Sequence, residues 1–178
     1  MPASTEDFRA AMRRFATGVA IVTTAHEGRI HGFTANAFAS VSAEPPTVLI
    51  CVNRRATAHP LISSSQRFCV NVLALDQRAL AERFAGGEPR SRFDGVDYRI
   101  GPSGSPILAG TLAHLDCTLG EELTAATHTI FLGTVLDAGW RDGEPLGYFN
   151  RAYRDFTLRQ AQDDVEAQGD ALIQDEDG

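Results

Sequence analysis

The chain has 178 residues and a mass of 19.2 kDa, with 43% hydrophobic and 22% charged residues; this suits one domain with its own core and excludes disordered, collagen-like and disulfide-stapled classes. Its net charge of −7 comes from the end: residues 160–178 carry seven acids and no base, so residues 1–159 form a neutral domain followed by a solvated acidic tail, a balance that disfavours nucleic acid as a partner. No apolar run approaches the roughly 20 residues that span a bilayer, and the opening MPASTEDF lacks a signal-peptide pattern, so no membrane partner and a cytoplasmic location are expected.

Ser4-Thr5-Glu6-Asp7 has the spacing of an N-cap with an acid three residues on, and Phe8, Met12 and Phe15 follow on one face, which predicts a helix over residues 5–16 ended by Gly18. Residues 19–24 are β-rich, and His26-Glu27-Gly28-Arg29 turns them into a second strand near Ile30, a hairpin. The stretch from Gly32 to Ser42 mixes small and hydroxyl residues with two spaced phenylalanines, and Pro45-Pro46 closes it before a strand over residues 47–53. Thr57 as N-cap with Pro60 in the first turn predicts a short helix over 57–65, followed by a buried strand over 68–73 and a helix over 76–84. Loops are expected at Gly86-Gly87-Glu88-Pro89 and from Gly101 to Pro106. An alternating strand over 111–119, a longer one over 128–138, and a turn at residues 141–144 into residues 146–149 complete the chain. Many strands on short turns, with few helices, predict a mainly β fold: a closed or nearly closed antiparallel barrel.

The chemistry is first narrowed by what is missing. All sixteen basic residues are arginine, so phosphate loops and Schiff-base chemistry that need a lysine amine cannot operate. Cys51, Cys69 and Cys117 have no CxxC spacing and read as buried thiols; no metal site is expected. His26, His31, His59 and His114 read as structural, whereas His128 opens a strand after the small-residue loop Thr124-Ala125-Ala126-Thr127, where its ring would stand on a barrel rim. Two segments remain. Thr34, Asn36, Ser40 and Ser42 could offer hydroxyls and a closely approachable backbone to a planar heteroaromatic ring, or could bond their own backbone in a tight strand. Asn53-Arg54-Arg55-Ala56-Thr57 ends a strand on two arginines before a helix start, which suits either a phosphate or a solvated turn.

With these segments in view, the chain resembles the flavin reductase-like family of small NAD(P)H:flavin oxidoreductases. The likeness runs from about Phe8 to Phe156. It is carried by FATGVAIVTT from Phe15, HGFTANAFASVSAEPPTVLICVN from His31 to Asn53, RFCVNVLALDQRALAERFAG from Arg67 to Gly86, and HTIFLGTV from His128 to Val135. The resemblance implies a split β-barrel of the FMN-binding, Greek-key type with a few short peripheral helices, usually a homodimer with its site near the subunit interface. It implies FMN or FAD as the flavin and NADH or NADPH as hydride donor, with reduced flavin passed to a separate monooxygenase. Carried over residue by residue, Thr34, Ala35, Asn36, Ala37, Ser40, Val41 and Ser42 line the isoalloxazine; Cys51, Val52 and Asn53 join them from the next strand. Arg54, Ala56 and Thr57 lie where ribityl phosphate is held, and Phe84 and Arg92 where a loop closes over flavin. His128 contacts nicotinamide as the candidate catalytic residue, with Tyr153 beside it. Where the family often has Gly-Asp-His, this chain has Ala126-Thr127-His128, which leaves the choice between NADH and NADPH open. Hydride transfer needs alignment of two rings rather than a strong base, in keeping with the lack of a triad or dyad. The alternatives are a flavin-binding module without turnover and another split-barrel oxidoreductase of the pyridoxamine-phosphate-oxidase type.

Overall fold

The computed structural model describes residues 2–86 and 88–156. The expected acidic tail at 160–178 lies outside the described residues. Ser4 caps α1 (Thr5–Met12), its hydroxyl accepting from the Asp7 amide. The helix stops a turn earlier than the sequence suggests. It buries no residue, so no packing sustains another turn, and the chain tightens through Arg13 and Phe15 into the short strand β1 (Thr17–Gly18).

The main body is a seven-stranded antiparallel sheet in the order β3-β2-β6-β9-β10-β5-β4. Its strands are β2 (Ala20–His26), β3 (Arg29–Ala35), β4 (Phe38–Ala43), β5 (Pro46–Asn53), β6 (Arg67–Val72), β9 (Ala113–Ala125) and β10 (His128–Trp140). β3 and β4 are the two edges of this sheet yet consecutive in the chain, joined only by Asn36 and Ala37. A flat seven-stranded sheet would hold its edges roughly 29 Å apart, whereas three residue steps reach about 10 Å. The sheet therefore curls until its edges meet at this joint.

The stretch Thr34–Ser42, expected as one strand, is thus two strands on opposite edges. Inward-facing side chains fill the curl. Val22, Ile50, Val52, Phe68, Val70 and Phe131 are almost fully buried, and Ala58 and Ile62 of α2 (Ala58–Ser65) pack onto them. Each large side chain removed from water in this way contributes about 1.5–3 kcal/mol.

A second cluster lies outside the sheet, where Ala81 and Phe84 of α3 (Arg78–Ala85) cover Val19, Ile21 and Leu73. Two small sheets complete the fold. In one, β1 pairs with β11 (Leu146–Phe149), which pairs with β12 (Ala152–Asp155); in the other, β7 (Tyr98–Ile100) pairs with β8 (Pro106–Leu108). Strand β9 continues six residues beyond the expected end at Leu119. Alternation fails there because Glu121 to Ala125 are all exposed, although they keep their pairing with β10. The expected four-residue loop before His128 is consequently a two-residue turn, Ala126-Thr127. Among the described residues no helix is long and apolar enough to cross a membrane.

Candidate active site

The joint between the sheet edges is the geometric centre of the site. Asn36 is exposed there and lines three adjoining clefts, of about 300, 360 and 230 Å³. The smallest is bounded by Thr34 and Ala35 of β3, Ala85 at the end of α3, and Tyr148 and Tyr153 of the β11-β12 hairpin. Thr34 donates its hydroxyl proton to the Ala81 carbonyl at 2.6 Å, which holds β3 under α3 and leaves the oxygen free as an acceptor. Tyr148 and Tyr153 stack edge to face at 5.6 Å, and the Arg78 guanidinium lies 5.7 Å from the centre of the Tyr153 ring. Burial pushes the Tyr153 hydroxyl above its ordinary pKa, so it remains a hydrogen-bond donor.

Beside this cleft, β5 runs past the joint. Its Cys51 amide donates to the Ala37 carbonyl at 3.0 Å, after which β5 has no β4 partner and keeps only β10 on its other side. The register sets His128 opposite Asn53, with the Arg54 amide donating to the Thr127 carbonyl. By alternation Ala37, Cys51, Asn53 and His128 share the outer face, while Ile50, Val52 and Phe131 point into the core. The His128 ring is exposed, its Nδ1 2.9 Å from the Thr127 hydroxyl. Burial raises the Cys51 thiol pKa, so it stays protonated and unreactive; Cys69 and Cys117 are raised further.

Beyond Asn53 the chain turns through Arg54 and Arg55, both exposed, with the Asn53 side chain accepting from the Arg55 amide. Thr57 occupies the N-cap position of α2 but makes no capping bond. It lines instead a cleft of about 750 Å³ between α2 and β3, together with Arg29, His31 and Arg90 and one carboxylate, Glu88. The end of β3 at Thr34 and Ala35, the 230 Å³ cleft there and this larger cleft at the strand's start suit a flat ring system with an anionic chain. Small side chains let a ring approach the main chain, and arginines and a spare hydroxyl suit phosphate.

The structure does not bring every expected residue here. Ser40, Val41 and Ser42 lie three to five residues along β4, so Ser42 is about 16 Å from Ala37; its hydroxyl bonds the Glu44 carbonyl. Val52 points into the core, leaving only main-chain atoms for a ligand. Half-buried Ala56 packs against that core. Phe84 is wholly buried and offers no surface to a ligand; it wedges beneath Gly32, where a Cβ would lie 2.6 Å from its ring. Arg92 is a tether, donating to the Gly32 carbonyl at 2.8 Å and the Gly86 carbonyl at 3.1 Å. Conversely, Phe15, Tyr148 and His31 line the clefts without having been singled out as ligand contacts. The pairing of Tyr148 with Tyr153 was the available signal for one of them, since β-hairpin partners share a face.

Comparison with known proteins decides the family. The model of the flavin reductase like domain matches residues 12–157. This chain belongs to the flavin reductase-like family. An FMN reductase (NADH), RutF, of Stutzerimonas stutzeri is 42% identical over 154 residues, covering 85% of this chain and 88% of its own. The reductase subunit HsaB of a flavin-dependent monooxygenase from Rhodococcus jostii is 39% identical over 147 residues, covering 82% and 75%. Among solved structures, the NADH:FAD oxidoreductase of Streptomyces globisporus in complex with NAD and FAD fragments superposes with a TM-score of 0.82 at 35% identity, covering 89% of this chain and 98% of that one. The family's matched segment contains the joint, the β5-β10 rim and the β11-β12 hairpin.

Proposed function

We propose that this flavin reductase-like protein is an NAD(P)H:flavin oxidoreductase on a split β-barrel, reducing FMN or FAD with NADH or NADPH for a separate monooxygenase. The observation that carries the reading is the joint itself: an unpaired strand edge running into Thr34-Ala35-Asn36, with an open cleft bounded by Tyr148 and Tyr153 beside it. When bound, the flavin supplies N5 as the acceptor of hydride from nicotinamide C4. The chain's own residues hold and align. The β3 edge and Asn36 bond the polar rim of the ring, and the Cys51-Asn53 strand end flanks it. Arg54 and Thr57 hold phosphate. His128, on the same outer face as Asn53, orients the nicotinamide carboxamide, and Tyr153 supports the donor ring.

A homodimer completes this reading. Val41 stands on β4, whose outer edge is unpaired, and Leu136 and Trp140 stand on β10, across β5 from it; they are 51%, 51% and 82% exposed. A second copy is the partner that covers these side chains and that edge.

Steady-state assays at 340 nm test the activity. The protein with NADH and excess FMN or FAD is expected to consume far more than one equivalent of NADH; consumption ending at one equivalent would leave a flavin-binding module. For His128→Ala, kcat/KM for the nicotinamide donor is expected to fall about tenfold, the loss of one ligand hydrogen bond of about 1.4 kcal/mol. Unaltered constants with both NADH and NADPH would remove His128 from the site.

A further inference from the structure

The 360 Å³ cleft on the other side of Asn36 has a composition that the reaction at the joint does not use. Three arginines line it, Arg9 and Arg13 from the α1 segment and Arg151 from the β11-β12 turn, and no carboxylate does. None of the three enters an ion pair among the described residues. Phe8 and Phe15, 61% and 64% exposed, add two uncovered rings. Gathering three guanidinium groups around one hollow costs repulsion that an anion would relieve.

The turn carrying Arg151 supplies an independent observation. Phe149 pairs with Ala152, so Asn150 and Arg151 form a two-residue hairpin loop with φ of 49° and 64°. Such loops favour Asn-Gly because both positions need left-handed backbone. Arginine stands where glycine would fit without strain. The Asn150 amide donates to the Arg13 carbonyl at 3.1 Å, fixing the two arginine-bearing segments against each other. Asn36 and Tyr148 line both this hollow and other clefts of the joint, so a ligand seated there can extend into it.

We propose that Arg9, Arg13 and Arg151 bind the diphosphate of a dinucleotide whose redox ring lies at the joint, with Phe8 and Phe15 packing on its adenine. This rests on the reductase reading for the ring and on the cleft alone for the anion. NADH is the source the geometry favours, because Tyr148 borders the donor side beside Tyr153; FAD carries the same group.

Two measurements test it. Calorimetric titration with ADP needs no turnover: the native protein is expected to bind, and Arg13→Gln/Arg151→Gln to bind at least about tenfold more weakly. Arg151→Gly is expected to lose ADP affinity while its Tm holds or rises, because glycine accepts the left-handed backbone. ADP affinity unchanged in both variants, or lost only together with Tm, would overturn the proposal.

With riboflavin as acceptor, kcat/KM for NADH is compared with that for 1-benzyl-1,4-dihydronicotinamide, which has no phosphate. The NADH-to-benzyl ratio is expected to fall about tenfold in the double variant. A fall in the FAD-to-riboflavin ratio instead would support the same site with the flavin as its source. Equal losses with every donor and acceptor, or no loss in either ratio, would overturn it. Failure of the native protein to reduce riboflavin with either donor would sink the reductase reading, with the ADP titration still deciding the anion site.

Discussion

His31 and Gly32 sit side by side on β3 and make opposite demands. A methyl group on Gly32 would meet the buried Phe84 ring at 2.6 Å and Phe93 at 3.2 Å. Gly32→Ala is therefore expected to cost about 1–3 kcal/mol, read as a lower urea midpoint at unchanged slope. His31 is 6% exposed, and burial first, then the Arg92 guanidinium, lowers its pKa below 6.5. The neutral ring is thus the folded form, whereas the unfolded chain binds a proton from about pH 6.5 downward. The stability contribution is complete above 6.5 and is lost as pH falls from there toward the lower folded value. Melting curves between about pH 7.5 and 5 should show a steeper fall for the native protein than for His31→Gln; equal slopes would remove His31 as the cause.

At the scale of elements, the joint between β3 and β4 sets the shape of the sheet and centres the candidate site. The small and hydroxyl residues around it were legible, and Thr34, Ala35 and Asn36 do border the clefts. What could not be read was where the strand breaks, since Ala35-Asn36-Ala37-Phe38 carries no glycine or proline to mark it. For the same reason Ser40 to Ser42, adjacent in sequence, fall away along the other edge. Asn36→Phe tests the joint: exposed in all three clefts, the ring should occupy their shared opening. Flavin KM is expected to rise tenfold or more, with stability within about 0.5 kcal/mol, the usual range for an exposed site. Flavin fluorescence quenching and a thermal melt separate the two effects. The diphosphate cleft escaped the sequence for a different reason: its arginines are scattered over residues 9, 13 and 151 and meet only through the hairpin contact with α1.

At the scale of the whole molecule, periodicity revealed most sheet strands and all three α-helices of the described residues, because core residues such as Val22, Ile50 and Phe68 alternate or cluster in short apolar runs. It missed β1, β7, β8 and β12, each of two to four residues and too short to show a period. The exposed Val41, Leu136 and Trp140 predict an assembly. Sedimentation equilibrium is expected to give twice the 19.2 kDa chain mass, and Leu136→Asp/Trp140→Asp to shift it toward the monomer, since a charge buried without a partner opposes association. A native monomer would refute the dimer.

The two-residue bridge at Asn36-Ala37 has a last consequence. Because covalent bonds tie the two borders of the sheet there, they cannot be spread apart, and the wall that Thr34, Ala35 and Asn36 give the clefts is fixed. Bulky analogues must then be accommodated by the outlying hairpin and the first helix, which form the opposite walls of those clefts.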